Sequence, residues 1–410
     1  MSRKPARRPK RRFPWSRSSR PARHHRERTL RFESLDPRVM LDAASVVGGP
    51  DTAIENRSVV ETSAASIEDW LGAPQAHDLG TVDFHESAEI VGDGVTDVPA
   101  ELRYSLKTAH DGWLTTQGLV SWLESGEIEL TLLDQDLNEI GSAVSQTYYI
   151  PGFGVRVRLP ARIDWEATGG SQYYVSITKS PDCSDPTVSF DLRLTNLVSD
   201  VDGSVTVYGT GNDDEFVFDA TRRSLRINGV YYGVPSTYSP PGGTRTVANT
   251  AAFDGGAGND VATLKGAEVS ETVHLHPGSG LLTGDGYRVS VAGVEGITAE
   301  SGGGDDVALL FDSAGDDTLF STPHFAQMSY ADGGYVSARD FRYAHGLARN
   351  GGTDTATLSR SAGVEARFES YATMSRVYGS DFYNRVRDFE VVDLVDSKGD
   401  QQVALLFDSD

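Results

Sequence analysis

The sequence lacks the residues and motifs on which several protein classes depend. One cysteine, Cys183, stands among 410 residues, so neither an intrachain disulfide nor a cysteine-built zinc site can form. No run of 18 apolar residues occurs, so a transmembrane segment is not predicted. The patterns G-x-S-x-G, H-E-x-x-H and G-x-x-x-x-G-K-[ST] are also missing. We expect no catalytic activity, no catalytic or cofactor-binding residue and no small-molecule substrate.

Positive charge is scarce beyond the N-terminus. The net charge is −22, but residues 1–31 hold 13 Lys/Arg and one acid, Glu27. The remaining 24 Lys/Arg and 58 Asp/Glu give the rest of the chain a charge of −34. Such an acidic body repels nucleic acid and favours solubility, so no nucleic-acid partner is predicted. The basic segment itself is poor in large apolar residues, which predicts disorder.

Glycine, in contrast, is abundant, with 43 residues, and many of them belong to a repeated unit. Its alanine recurs every 48 residues, at Ala308, Ala356 and Ala404, and an earlier copy at Ala262 lies 46 residues before the first. The copies are Gly255–Leu264, Gly302–Ser313, Gly351–Leu358 and Gly399–Ser409. A period of this size is typical of stacked units that bury an apolar face against their neighbours. An internal ladder of aromatic rings is also expected, from the tyrosines that keep the same spacing, Tyr287, Tyr335 and Tyr383.

The hydrophobic pattern predicts an all-β protein with two folded parts. Between residues 77 and 198, apolar residues alternate with polar ones, as at Ile128, Leu130 and Leu132, which predicts a β-sandwich. The clearest strand segments are 102–106, 112–115, 128–133, 155–159, 173–177 and 190–194. From 199 to 410 the repeats predict either a β-solenoid with two coils of about 24 residues per unit, or propeller blades. The short strands and few copies favour the solenoid. Residues 1–43 are interpreted as a basic leader and 44–76 as a linker.

The glycine- and aspartate-rich turns raise the question of calcium. Gly255–Thr263 fits the glycine and aspartate positions of the G-G-x-G-x-D-x-U-x nonapeptide, in which stacked turns share Ca²⁺ ions. Such sites need nonapeptides in tandem, whereas these copies lie 46–48 residues apart. Two interpretations therefore remain open. The acids are solvated residues at the corners of the coils, or Asp260, Asp306 and Asp317 bind calcium.

A resemblance to known proteins begins at Phe32–Ala43. Leu35, Pro37, Arg38 and Leu41 match the LEPR-XLL motif of exported surface proteins from planctomycete-type bacteria, while Asp36 and Met40 depart from it. The region from 77 to 198 resembles the jelly-roll, pre-peptidase-like domains that accompany secreted peptidases. The repeats are similar to the Gly/Asp-rich, RTX-like repeats of the same surface proteins.

The resemblance implies export to the cell surface or the extracellular space. We expect a non-catalytic structural or adhesive protein whose partners are components of the cell envelope or extracellular matrix. A calcium-dependent, RTX-like binding module is one alternative, and a polysaccharide-binding or polysaccharide-active β-helix protein is another. Because residues 407–410 repeat only the start of the segment that follows Leu310, we also expect the chain to belong to a longer array.

Overall fold

The computed structural model describes residues 76–95, 97–120, 126–150, 155–201, 203–233, 250–360, 364–395 and 403–406. The predicted leader, its LEPR-XLL-like motif and residues 407–410 lie outside this part of the chain, as does the predicted linker except for residue 76. The described residues form 32 strands and no helix, so the all-β prediction is confirmed. Within these ranges, no helix could span a bilayer.

The first folded part is the predicted β-sandwich. Its strands are β1 (His77–Val82), β2 (Phe84–Gly92), β3 (Glu101–Thr108), β4 (Gly112–Val120), β5 (Ile128–Leu133), β6 (Glu139–Val144), β7 (Gln146–Ile150), β8 (Val155–Leu159), β9 (Ala161–Ala167), β10 (Gln172–Lys179) and β11 (Thr187–Val201). All six predicted strand segments lie within strands of this set. One sheet has the order β1-β3-β10-β5-β6, and β2, β11, β4 and β9 form the opposing layer. Ile128, Leu130 and Leu132 are fully buried between them, as the alternating pattern predicts.

The second part is a β-solenoid, and its strands are short, with three to six residues each. They are β12 (Ser204–Tyr208), β13 (Glu215–Asp219), β14 (Ser224–Ile227), β15 (Val230–Tyr232), β16 (Thr250–Asp254), β17 (Val261–Lys265), β18 (Thr272–His276), β19 (Ser279–Gly284), β20 (Tyr287–Ala292), β21 (Gly296–Glu300), β22 (Val307–Phe311), β23 (Thr318–Thr322), β24 (Phe325–Ser329), β25 (Tyr335–Arg339), β26 (Tyr343–Leu347), β27 (Thr355–Ser359), β28 (Arg367–Tyr371), β29 (Met374–Tyr378), β30 (Tyr383–Arg387), β31 (Val391–Val395) and β32 (Val403–Leu406).

Two sheets make up the solenoid. The long sheet has 15 strands and includes four strands of the sandwich, whereas the short sheet has 10. The long sheet runs β32-β28-β29-β30-β26-β22-β18-β19-β20-β16-β12-β11-β4-β9, with β2 also paired to β11, and the short sheet runs β15-β14-β13-β17-β21-β25-β24-β23-β27-β31. The chain crosses between the two sheets at turns that we call corners.

The sandwich and the solenoid share a continuous sheet because β11 is unusually long. Its 15 residues cross the position where we placed the domain boundary, 198/199. Residues 187–195 pair with β2, and residues 198–201 pair with β12, the first strand of the solenoid. Trp113 and Val198 accordingly belong to the solenoid core, although their strands are part of the sandwich. Backbone hydrogen bonding therefore passes from one part to the other without a linker.

Each repeat unit contains five strands, three of which form a meander. We expected instead that each unit would consist of two simple coils. The units are β17–β21, β22–β26 and β27–β31. In each, the first and last strands lie in one sheet, and the middle three form an antiparallel meander in the other. Because the chain crosses between the two sheets three times per unit, successive units begin in opposite sheets. Tight turns at Gly278 and Gly286, both with positive φ, allow the meander to reverse direction.

The repeated alanines lie inside the solenoid. In β17, β22 and β27 the second and fourth residues face inward, and these are the pairs Ala262/Leu264, Ala308/Leu310 and Ala356/Leu358, each no more than 2% exposed. Phe216 and Phe253 stack across the two sheets with ring centroids 4.7 Å apart. The expected ladder of tyrosines is wrong, since Tyr287 is buried in the core whereas Tyr335 and Tyr383 face outward on different sheets.

Candidate functional site

The corner acids fall into buried and exposed classes. In the pairs Asp213/Asp214, Asp305/Asp306 and Asp316/Asp317, the first residue is exposed and the second is at most 2% exposed. The second residue immediately precedes a strand, so its side chain turns toward the interior of the solenoid. The structure therefore separates solvated acids from acids that are part of the fold.

Carboxylates at the corners accept backbone N–H groups from the adjacent turn, and the acceptors include the exposed Glu295 and Glu390 as well as buried aspartates. Asp214 donates its N–H to Asp260 Oδ1 at 2.8 Å, and Asp260 in turn donates to Glu295 Oε2 at 2.7 Å. Analogous bonds run from Glu271 to Asp306 (2.8 Å), from Asp317 to Asp354 (2.8 Å) and from Asp354 to Glu390 (2.8 Å). Each bond joins residues 35–46 positions apart in sequence, so the carboxylates hold successive turns together.

The three residues predicted to bind calcium are not brought together. Asp260 precedes β17 and Asp317 precedes β23 in the short sheet, whereas Asp306 precedes β22 in the long sheet. All three are buried, and each has a neighbour that donates hydrogen bonds to its carboxylate. Among the described residues, no group of three or more His, Cys, Asp or Glu side chains could hold a metal ion. The three residues therefore cannot share one calcium ion, which requires six to eight oxygen ligands.

Burial also alters the acidity of these corners. It raises the pKa of Asp260 to about 6, and repulsion from Asp214 and Glu295 adds to the effect, while the N–H of Asp214 opposes it. Asp260 Oδ2 is buried and has no hydrogen-bond partner. A carboxyl group in this environment binds a proton more readily than an exposed carboxyl group. Burial raises the pKa of Asp306 and Asp354 as well.

This shift predicts a fold that becomes more stable under mildly acidic conditions. An unfolded aspartate titrates at about pH 4, whereas native Asp260 titrates at about pH 6. Between these values Asp260 binds more protons in the folded state than in the unfolded state. Its contribution to stability is therefore complete below the unfolded pKa and is lost as pH rises through 6. We expect the melting temperature, followed by circular dichroism, to fall as pH rises across this range.

The matched variants are Asp260→Asn and Asp254→Asn, each of which removes one negative charge. Asp254 is exposed at the end of β16. We expect Asp260→Asn to flatten the pH dependence while Asp254→Asn leaves it unchanged. Equal slopes in the two variants would mean that Asp260 does not titrate in this range.

A second feature is a cluster on the outer face of the long sheet, where β28, β29, β30 and β26 lie side by side. We call it the Tyr–Arg patch, and it consists of Tyr343, His345, Glu369, Arg376, Tyr378, Tyr383 and Arg385. Strand register places Tyr378 opposite Tyr383, and Tyr383 beside Tyr343. Their ring centroids are 6.0 and 6.3 Å apart, so the three rings form a row across the sheet.

Glu369 is the one carboxylate in the Tyr–Arg patch, and its neighbours hold it in place. Tyr378 Oη donates to Glu369 Oε1 at 2.7 Å, and Arg376 donates through Nε at 2.7 Å and through Nη2 to Oε2. These hydrogen bonds, that of Tyr378 first, lower the pKa of Glu369. The Arg376 guanidinium also lies 5.2 Å from the Tyr378 ring centroid. Glu369 is thus a bound carboxylate, stably ionised at neutral pH.

Arg385 lacks such a partner. It lies directly opposite Arg376 on β29 and beside His345 on β26. Its Nε is buried without a hydrogen-bond partner, and its side chain forms no ion pair within the described residues. Burial, reinforced by the charge of Arg385, lowers the pKa of His345 to about 4, so His345 is neutral at physiological pH. The patch therefore contains one paired and one unpaired guanidinium.

The outer face of the short sheet carries a shallow groove of about 210 Å³. It is lined by Thr318, Leu319, Phe320, Phe325, Gln327, Ser329, Thr355 and Thr357. Phe320 is 46% exposed, but the groove contains no charged or titratable side chain. It offers a neutral surface that contrasts with the Tyr–Arg patch.

Known proteins offer few parallels to this chain. No family model and no curated protein matches it. Among solved structures, it is similar to the pre-peptidase C-terminal domain of a Bacillus anthracis collagenase, with 13% identity, a TM-score of 0.19 and coverage of 30% of this chain and 96% of that domain. Two structures of the catalytic domain of a GH87 α-1,3-glucanase match with 11% and 10% identity and TM-scores of 0.19 and 0.18. They cover 72% and 75% of this chain and 67% of each neighbour. The assignment of sandwich and solenoid therefore depends on the strand pairing itself.

Sequence reasoning found the corner acids but missed the Tyr–Arg patch. The available signal was the alternation within three short segments, 367–371, 374–378 and 383–387, where arginine, glutamate or tyrosine occupies every second position except that of Met374. That pattern predicts that these side chains share a face within each strand. It does not reveal that the three strands lie side by side, with β30 next to β26.

Proposed function

We propose that this chain is an exported, non-catalytic protein of the cell surface or extracellular space with a structural and adhesive role. The observation that carries the proposal is the single sheet that extends from the sandwich into the solenoid through β11 and β12. A continuous hydrogen-bonded sheet resists bending between the two parts and presents one extended outer face. Components of the cell envelope or extracellular matrix are the partners that such a surface suits.

Two further features support a scaffold rather than an enzyme. Many corner acids accept structural hydrogen bonds from neighbouring turns. The Tyr–Arg patch holds one carboxylate, Glu369, which is already paired with Arg376, whereas glycoside hydrolysis generally uses two carboxyl groups. The resemblance of the N-terminal segment to exported surface proteins supports the location.

The location is tested by fractionating bacterial cells that express the full chain and by sequencing the N-terminus of the recovered protein. We expect the protein in the envelope or the medium, with the basic leader removed. Intact protein in the cytosol that starts at Met1 or Ser2 would contradict export.

The role is tested by mixing the purified full chain with cell-envelope and matrix polysaccharide preparations. Bound protein and released reducing ends are measured together, with and without millimolar calcium. Saturable binding without sugar release, and a circular dichroism spectrum that calcium leaves unchanged, are the expected results. Release of sugar would favour the polysaccharide-active alternative, and a calcium-dependent gain of β-structure would favour the calcium-dependent module.

A further inference from the structure

The Tyr–Arg patch differs in charge from the rest of the protein. Residues 32–410 hold 24 Lys/Arg against 58 Asp/Glu, yet Arg376, Arg385 and Arg387 lie on two adjacent strands of the long sheet. Arg376 and Arg385 face each other across the strand pair. Like charges that are directly opposite destabilise a sheet, and the two ion pairs of this cluster, Arg376 with Glu369 and Arg387 with Asp388 (3.5 Å), leave the charge of Arg385 uncompensated. The site is therefore locally cationic on a strongly anionic chain.

Glu369 shows how this surface holds a carboxylate. A guanidinium donates to it through two nitrogens, and the Tyr378 hydroxyl donates to its other oxygen. Arg385 has the same kinds of neighbours, since Tyr383 adjoins it on the same strand and Tyr343 lies on the strand beside it. The Tyr383 hydroxyl accepts a hydrogen bond from Arg376 Nη1 at 3.0 Å, whereas no carboxylate of the described residues pairs with Arg385.

The tyrosine rings form the second part of the Tyr–Arg patch, beside Arg385. Tyr378, Tyr383 and Tyr343 form a row about 6 Å apart from ring to ring, and none of them is buried in the core. A guanidinium lies over each ring, since Arg376 is 5.2 Å from the Tyr378 centroid and 5.6 Å from that of Tyr383, and Arg342 is 5.6 Å from that of Tyr343. The remaining exposed part of each ring offers an apolar surface together with a polar hydroxyl. A ligand that places an anionic group on Arg385 would therefore also meet a row of rings.

We infer that the Tyr–Arg patch binds an acidic polysaccharide, with a sugar carboxylate on Arg385 and adjacent sugar rings against the tyrosine row. Arginine pairs with carboxylates through two parallel N–H···O bonds, which gives both affinity and orientation. The inference rests on the proposed adhesive function, because it names the chemical class of the partner that the outer face holds. Attraction is confined to the patch, since the surrounding acids repel a polyanion at longer range.

The test measures binding of the full chain to polygalacturonate by isothermal titration calorimetry. Neutral dextran and dextran sulfate serve as the comparison polymers. We expect binding to polygalacturonate that weakens as salt is added, weaker binding to dextran sulfate and none to dextran. Tighter binding to dextran sulfate would show that the patch prefers sulfate to carboxylate groups. Equal binding to dextran would show that charge plays no part. Either result overturns the inference.

Variants assign the effect to Arg385. We expect Arg385→Gln to weaken binding about ten- to a hundred-fold, which is the loss of one charge-assisted pair. Arg339→Gln removes the same charge from an exposed position on β25 of the short sheet and should leave the affinity unchanged. Equal losses in the two variants would indicate diffuse electrostatic attraction and contradict the inference.

Two additional measurements keep the result interpretable. Arg385→Lys retains the charge but loses the two-pronged geometry, so an intermediate affinity is expected. Melting temperatures of all variants establish that the solenoid is intact, and if Arg385→Gln unfolds, the lysine variant decides. Binding to envelope preparations without binding to polygalacturonate would overturn only this inference, whereas binding to neither would also contradict the proposed adhesive function.

Discussion

Gly352→Ala should lower the free energy of unfolding by about 3 to 4 kcal/mol, the largest effect that we expect from a single methyl group. Gly352 has a φ of +100°, a conformation that side chains rarely adopt. A Cβ at this position would also overlap the backbone carbonyl of Gly315 in the neighbouring corner. Strain and overlap therefore act together. Urea unfolding followed by circular dichroism measures the loss.

Gly351→Ala separates these two causes. Gly351 has a φ of +104°, but no atom lies within 4 Å of the position that an alanine Cβ would occupy there. This variant carries the backbone strain alone, which costs about 1 to 2 kcal/mol. Equal losses for Gly351→Ala and Gly352→Ala would show that the two corners do not pack as closely as the structure indicates.

Asp312→Ala should destabilise the solenoid by about 3 kcal/mol. Asp312 is fully buried, and its Oδ2 accepts the backbone N–H groups of Arg349 and Asn350, both at 2.6 Å. The Asn350 side chain donates to Oδ1 at 3.0 Å. Alanine would leave these donors buried without an acceptor, a cost that exceeds the loss of the bonds themselves. The same urea titration measures it.

Asp316→Ala is the matched control, because Asp316 is an exposed corner acid that also accepts an N–H, that of Thr353 at 2.7 Å. Solvent can replace this acceptor, so a loss below about 1 kcal/mol is expected. Asp312→Asn keeps an acceptor oxygen and should fall between the two. If Asp312→Ala proved as mild as Asp316→Ala, the buried acids would not be what holds adjacent turns together.

The sequence predicts the stacking well, since the 48-residue recurrence of Ala308 and Ala356 reflects inward positions that must be small. It does not predict the path of the chain. The Asp285-Gly286 dipeptide is a hairpin signal, but only the sheet order shows that the hairpin belongs to a meander. Whether a strand joins one sheet or the other depends on how many times the chain has already crossed between the sheets, and no local pattern contains that number.

The candidate sites also combine features that the local sequence predicts with features that only the strand pairing decides. Asp260 and Asp306 stand out in sequence as turn residues, for which exposure is the usual outcome. Their burial arises because N–H groups from Asp214 and Glu271, 46 and 35 residues earlier, need acceptors. The Tyr–Arg patch depends still more on distant pairing, since β27, β28 and β29 lie in sequence between the strands of Tyr343 and Tyr383. Local alternation fixes which way a side chain points, whereas register fixes its neighbours.

The odd number of sheet crossings in each unit makes successive units alternate between the two sheets. Duplication of one unit would place a second Tyr–Arg patch on the outer face of the other sheet, because the copy would begin in the opposite sheet. Duplication of two units would place it on the same side, at a distance of about five strand spacings, or roughly 24 Å. The number of patches on the outer face of each sheet therefore increases by one with every second unit. An array built from single duplications would display its patches on two opposite faces.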